Sequence, residues 1–253
     1  MTKGEIVSVH SFRGGTGKSN TSANLAFWLA KAGHRVAVID ADIQSPGIHV
    51  LFGCDPSLAE YTLNDFLTGR CDIADAAQEV GPRLGLEGDG ALYLLPSSMR
   101  VGAITQILRQ GYDVAKLNEG LRELIDALSL RYLLIDTHPG INEETLLSIA
   151  LSDVLVMLLR PDQQDYQGTA VTLEIARMLQ VPKIQVVLNK VPAQLDAEEL
   201  ARRVSETYSC EVAAVIPHSE RLMALGSEAL FSMRFPDDPI SRTYRKIALS
   251  VLL

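Results

Sequence analysis

Ser11-Phe12-Arg13-Gly14-Gly15-Thr16-Gly17-Lys18-Ser19-Asn20 is the stretch that decides how the rest of the chain is read. The apolar run Ile6-Val7-Ser8-Val9 leads into it, and a helix-forming run from Thr21 to Lys31 leads out. Strand, glycine loop, Gly-Lys-Ser and helix follow one another in the order a phosphate-binding loop requires. Small residues let the backbone wrap a polyphosphate, so that successive N–H groups point inward. The positive end of the following helix favours an anion at the same place. In this reading Gly14, Gly15, Thr16, Gly17 and Asn20 line the cradle, Lys18 reaches the outer phosphates, and the Ser19 hydroxyl ligates Mg²⁺. The alternative is a glycine turn before an ordinary helix, and it leaves the Gly-Lys-Ser at the helix start unexplained.

Working outward, Val36-Ala37-Val38-Ile39-Asp40 is a second short apolar run, with the Thr21–Lys31 helix as its crossover. This spacing makes a parallel, right-handed βαβ unit. Asp40-Ala41-Asp42 then falls at the C-terminal edge of the sheet, where ligands of open parallel sheets sit. A carboxylate there can hold the water ligands of magnesium or orient an attacking water. Tyr132-Leu133-Leu134-Ile135-Asp136 is an apolar strand ending in a carboxylate, which places Asp136 beside the metal shell, and Gly140 follows in Thr137-His138-Pro139-Gly140. Read alone, Asp42 could be a cap and Asp136 a turn residue.

With those residues in view, the loop resembles the deviant Walker A of the ParA/MinD family, written Lys-Gly-Gly-x-Gly-Lys-Thr/Ser. The chain departs from that pattern at one informative position, where Arg13 replaces the signature lysine; the family position of Phe12 is variable. The resemblance implies that Asp42, twenty-four residues after Lys18, is the catalytic position of switch I. It also implies that the Gly140 N–H meets the γ-phosphate, that Asn189 at the end of Lys183–Lys190 reads adenine, and that Pro217 and the adjoining loop wall the base. Arg13 takes the place of the lysine that reaches a partner's nucleotide. The implied cofactors are ATP/ADP and Mg²⁺. The implied partners are a second copy of the chain when ATP is bound and an activating protein or cargo adaptor.

The remaining runs complete the fold class. Ala91–Leu95, Val154–Leu159 and Glu211–Pro217 read as further strands. Thr62–Leu67, Val114–Leu128, Asp165–Leu179 and Ile240–Leu253 read as helices, and the glycine-rich residues 81–90 as a surface loop. Six or seven buried strands alternating with helices predict an α/β fold, doubly wound around a mostly parallel sheet. With no linker or repeat, residues 1–253 are expected to form one domain.

Composition narrows the function. Hydrophobic residues make up 47%, enough to cover a sheet on both faces, and no apolar run reaches bilayer length. The start lacks an apolar signal core, so a cytoplasmic location is expected, with nucleoid association as a candidate. Cys54, Cys71 and Cys210 have no CxxC spacing, which argues against zinc, disulfides and an iron–sulfur cluster. The net charge of −8 argues against a strongly basic nucleic-acid surface. A local patch from Arg202, Arg203, Arg234, Arg242, Arg245 and Lys246 keeps non-specific DNA as a candidate partner. The short tail from Arg242 is a weaker candidate for a membrane and is expected to pack as an ordinary last helix. Iron-protein, tail-anchored-targeting and tyrosine-kinase readings lack, respectively, bridging cysteines, a hydrophobic insertion and a tyrosine cluster.

Overall fold

The computed structural model describes residues 4–252. Eight strands form one sheet: β1 (Glu5–His10), β2 (Arg35–Asp40), β3 (Gln78–Glu79), β4 (Ala91–Leu95), β5 (Tyr132–Asp136), β6 (Val154–Leu159), β7 (Lys183–Val191) and β8 (Glu211–Pro217). Their order is β3-β4-β2-β5-β1-β6-β7-β8, parallel throughout except for β3. Sequence reading misses β3, which is two residues long and pairs antiparallel at the edge. So short and half-exposed a strand carries no apolar run to read.

Burial on both faces explains why the strands read as near-continuous apolar runs. Val7, Val9, Val36, Val38, Leu134 and Val156 point to one side, under the helices Lys18–Lys31 and Pro239–Val251. Ile6, Ala37, Ile39, Leu133 and Ile135 point to the other, under Leu63–Leu67 and Val114–Ala127. Residues 81–90 differ from the expected surface loop: Gly81–Leu84 forms a 3₁₀ turn with Gly81 and Leu84 buried. The helices Val101–Gln110, Glu143–Ala150 and Ala197–Tyr208 were not anticipated either. Each buries only one to three residues, so none carries an extended apolar run.

The tail folds as a helix, Pro239–Val251, starting one residue before the expected Ile240; the expected end at Leu253 lies outside the described residues. Its apolar face, with Ile240, Tyr244, Ile247 and Val251, belongs to the core. The surface a membrane would need is therefore already covered, apart from the half-exposed Leu249. No helix among the described residues is long and apolar enough to cross a bilayer.

Parallel register positions the site. Val9 on β1 and Asp40 on β2 both lie level with Asp136 on β5. Three adjacent strands therefore end at one height, and the glycine loop leaves β1 between β5 and β6. This is the crevice at which the winding of a doubly wound sheet reverses.

Candidate functional site

The glycine loop runs from Ser11 to Gly17 and ends where the Lys18–Lys31 helix begins. Two glycines supply its turn: Gly15 has φ 74° and Gly17 φ 98°. A side chain is strained at either φ, and at Gly17 a Cβ would also lie 2.5 Å from Asn189 Nδ2. Side chains brace the loop from within. Thr16 Oγ1 donates to Ser11 Oγ (2.7 Å), and Ser11 Oγ donates to the Arg13 carbonyl (2.7 Å). Phe12 packs flat against the neighbouring helix Gln163–Met178, where a Cβ on Gly168 would meet its ring at 1.9 Å. Phe12 thus ties the loop to that helix, and only glycine leaves it room.

Lys18 and Asp136 are buried together. Burial pulls the Lys18 ammonium down from its usual pKa, against the raising effect of Asp136 and Asp42. Burial pushes the Asp136 carboxyl up to about 6, opposed by hydrogen bonds from Ser19 and Ser22 and by the Lys18 charge. The Ser22 bond to Asp136 Oδ1 is 2.9 Å. A fully buried carboxylate bonded to the Ser19 hydroxyl and facing an ammonium is a donor set suited to a hard, oxygen-seeking cation. Among the described residues no group of three or more His, Cys, Asp or Glu side chains could hold a metal unaided. The Ser19 hydroxyl and the Asp136 carboxyl would supply the one or two protein oxygens that Mg²⁺ typically takes, with phosphate and water completing its shell.

Asp40 and Asp42 divide the work of the next loop. Asp40 is wholly buried, and its carboxylate accepts from the Gly47 N–H (3.0 Å) and the Asp42 N–H (3.3 Å). It therefore shapes the segment. Asp42 Oδ1 accepts from the Ser45 N–H at 3.0 Å and lies 3.8 Å from His138 Nε2. Burial raises the Asp42 pKa, with His138, Ser45 and Lys18 pulling it back. His138 thus lies between the segment that follows Asp40 and the one that follows Asp136.

Two residues sit differently from the sequence reading. The Gly140 N–H donates to the Ser11 carbonyl at 3.1 Å, so in this conformation it is committed to the glycine loop and must swing away to meet a phosphate. Arg13 turns toward its own chain: its guanidinium lies 3.4 Å from Asp162 and 4.0 Å from Asp165, beside Arg160. Asn189 Nδ2 donates to the Thr16 carbonyl (2.7 Å) and its Oδ1 accepts from the Lys190 N–H. One amide hydrogen and one lone pair of Asn189 stay uncommitted for a base edge. Beside it lies a pocket of about 200 Å³ lined by Gly17, Asn20, Asn189, Lys190, Pro217 and His218. The candidate DNA-binding arginines are partly compensated. Arg202 forms ion pairs with Glu199 and Glu206, Arg242 donates to the Asp237 carbonyl, and Arg245 stacks over Trp28.

Sequence reading passed over His10. It is completely buried at the end of β1, its Nδ1 2.7 Å from Thr137 Oγ1 and its Nε2 without a partner. Thr137 Oγ1 donates to the Val9 carbonyl, so His10 Nδ1 carries the proton. Burial, reinforced by Lys18 and His138, lowers the His10 pKa to about 3. A histidine depressed in the folded state stabilises it above the unfolded pKa of about 6.5, and that stability is lost as pH falls toward 3. We expect His10→Gln to flatten the acid limb of unfolding temperature against pH between 6.5 and 4. The lost slope is at most about 1.4 kcal/mol per pH unit. An unchanged slope in thermal melts would show that His10 does not titrate there.

Glycine cradle, buried lysine and paired strand-end carboxylates at the reversal point of a parallel sheet define a P-loop nucleotide-binding protein. The chain belongs to the CobQ/CobB/MinD/ParA nucleotide binding domain family, whose profile matches residues 7–231. It is 30% identical over 250 residues to an uncharacterised ATP-binding protein of Methanocaldococcus jannaschii, covering 97% of this chain and 87% of that one. It is 24% identical to the antiactivator FleN of Pseudomonas aeruginosa, covering 98% and 86%. Its fold matches the septum site-determining protein MinD of Pyrococcus horikoshii, solved with Mg-ADP. The TM-score is 0.78 at 20% identity, over 98% of this chain and 96% of that one.

Proposed function

We propose that the chain, as a single domain, is a Mg²⁺-dependent ATPase that cycles between a monomer and a nucleotide-sandwich dimer and so positions a cellular cargo. The observation that carries this reading is the meeting of Lys18, Ser19, Asp42 and Asp136 around one glycine cradle. The cradle N–H groups and Lys18 bind the phosphates. Ser19 and Asp136 hold the Mg²⁺ ion, with Asp42 beside its water shell; the ion, when bound, offsets charge on the phosphates. Asp42 orients the attacking water. The base lies in the pocket between Asn189 and Pro217. ATP and ADP as ligands accord with the Mg-ADP named for the Pyrococcus MinD structure.

Arg13 crosses to the partner's phosphates in the dimer, after leaving Asp162 and Asp165. A guanidinium forks onto phosphate oxygens and keeps its charge at any physiological pH. Arg13→Ala is expected to leave ATP binding largely intact and to weaken dimerisation. Light scattering with and without ATP checks this, and an unchanged ATP-dependent dimer would refute the cross-subunit role. Hydrolysis is slow until an activating partner or cargo adaptor engages the dimer.

A second reading is an ATP-switched regulator that binds a DNA or membrane surface with little hydrolysis of its own. The ion pairs that hold Arg13 in its own chain favour it. ATP-dependent DNA binding that collapses with rising salt would select the DNA surface. Flotation with liposomes would select the membrane.

A further inference from the structure

A loop that turns its N–H groups inward to a phosphate turns carbonyls outward, and buried or crowded carbonyls need donors. Two consecutive residues at the end of β7 supply them. Asn189 Nδ2 donates to the Thr16 carbonyl and Lys190 Nζ to the Gly15 carbonyl, both at 2.7 Å. Consecutive strand residues face opposite sides, so a regular strand could not aim both at one loop. Here the register between β7 and β8 breaks between Leu188 and Val191, and Lys190 adopts φ 56°. That left-handed turn is uncommon for a lysine and is held in place by its surroundings. The Lys190 N–H also donates to Asn189 Oδ1 at 2.8 Å, which locks the two residues together.

We propose that Asn189 and Lys190 form a clamp on the outer side of the phosphate loop, and that Lys190 is a positioning residue that sets how fast nucleotide leaves. The proposal rests on the nucleotide reading above. The bonds to Gly15 and Thr16 hold the loop in the shape a bound phosphate requires, so losing them weakens the bound state more than the loose encounter that precedes it. The clamp therefore acts on dissociation, where most affinity differences between related complexes lie. Lys190 also lines the pocket beside Gly17 and Pro217, so the group that fixes the phosphate loop borders the proposed base pocket.

The test is stopped-flow release of a fluorescent ADP analogue, with Mg²⁺, from wild type, Lys190→Asn and Lys190→Arg. Asparagine tolerates the left-handed conformation but is too short to reach Gly15. Release from Lys190→Asn should be about two to five times faster, the value of an exposed charge-assisted bond. Association should stay within about twofold. Lys190→Arg should restore slow release, and the unfolding temperature without nucleotide should not move. Should Lys190→Asn fold poorly, Lys190→Gly gives the same readout. Release at the wild-type rate from a variant without the ammonium would overturn the clamp while leaving nucleotide binding intact. Equally fast release from the arginine variant would overturn it too. A wild type that binds no nucleotide would sink the nucleotide reading and the clamp with it.

Discussion

Gly17→Ala should weaken ADP and ATP binding about a hundredfold or more, while Gly15→Ala should cost about tenfold. Both glycines sit at positive φ, so alanine at either pays the left-handed penalty of about 1–2 kcal/mol. They differ in what lies beyond. Nothing lies within 4 Å of a Cβ built on Gly15, but one on Gly17 lies 2.5 Å from Asn189 Nδ2. Asn189 is nearly fully buried and cannot swing aside without abandoning the Thr16 carbonyl, which adds about 1–3 kcal/mol. At about 1.4 kcal/mol per tenfold, the two terms together, about 2–5 kcal/mol, centre on rather more than two decades for Gly17. The loop escapes this strain by relaxing when no ligand holds it, so the cost falls on binding more than on folding. Titration calorimetry reads the affinities, and thermal melts of the free proteins read the folding. Equal losses for the two variants would show that contact with Asn189 is immaterial. Wild-type affinity for Gly17→Ala would show that the loop does not cradle the ligand.

How far the sequence reveals this site follows from the range of each interaction. The places of the glycine loop, Asp42 and Asp136 at the sheet edge are legible because local order encodes them, whereas the role of Asp42 came only through the resemblance. The sheet is legible for the same reason, since strands covered on both faces leave unbroken apolar runs such as Val154–Leu159. Arg13 was read through the resemblance as reaching a partner's nucleotide; its ion pairs with Asp162 and Asp165, some 150 residues away, leave no local mark. The fit of Phe12 onto Gly168 is equally silent in one sequence. Asn189 was read through the resemblance as a base contact. Its hold on Thr16 depends on β7 ending beside the glycine loop, which only the strand order provides. His10 carried a faint signal, a histidine set directly between the run Ile6–Val9 and the glycine loop. Within residues 54–130 the runs Thr62–Leu67, Ala91–Leu95 and Val114–Leu128 were legible, whereas the two-residue β3 and the helix Val101–Gln110, which buries a single residue, Ile107, were not.

Asp42→Ala should lower single-turnover ATP hydrolysis by about 10²–10⁴-fold, the usual contribution of a positioned acid–base group. It should leave ATP affinity and unfolding temperature nearly unchanged. The two carboxylates of the Asp40-Ala41-Asp42 segment make this separation testable. Asp40 is wholly buried and holds two backbone N–H groups of its loop, so Asp40→Ala should lower the unfolding temperature and disturb binding and hydrolysis together. Asp42 is only partly buried, bonds the single Ser45 N–H and stands near Lys18 without enclosing the glycine loop. Removing it strips the proposed water-orienting group while the cradle, Ser19 and Asp136 remain to hold nucleotide and metal. A protein that binds ATP but does not turn it over must accumulate in its ATP-bound state. On the proposed cycle, Asp42→Ala should therefore run as a persistent dimer in ATP, whereas wild type should revert to monomer as ATP is consumed. Rapid-quench hydrolysis and size measurement over time read the two halves of the expectation. Hydrolysis at the wild-type rate would remove Asp42 from the chemistry. Loss of ATP binding with loss of hydrolysis would instead make Asp42 a structural companion of Asp40.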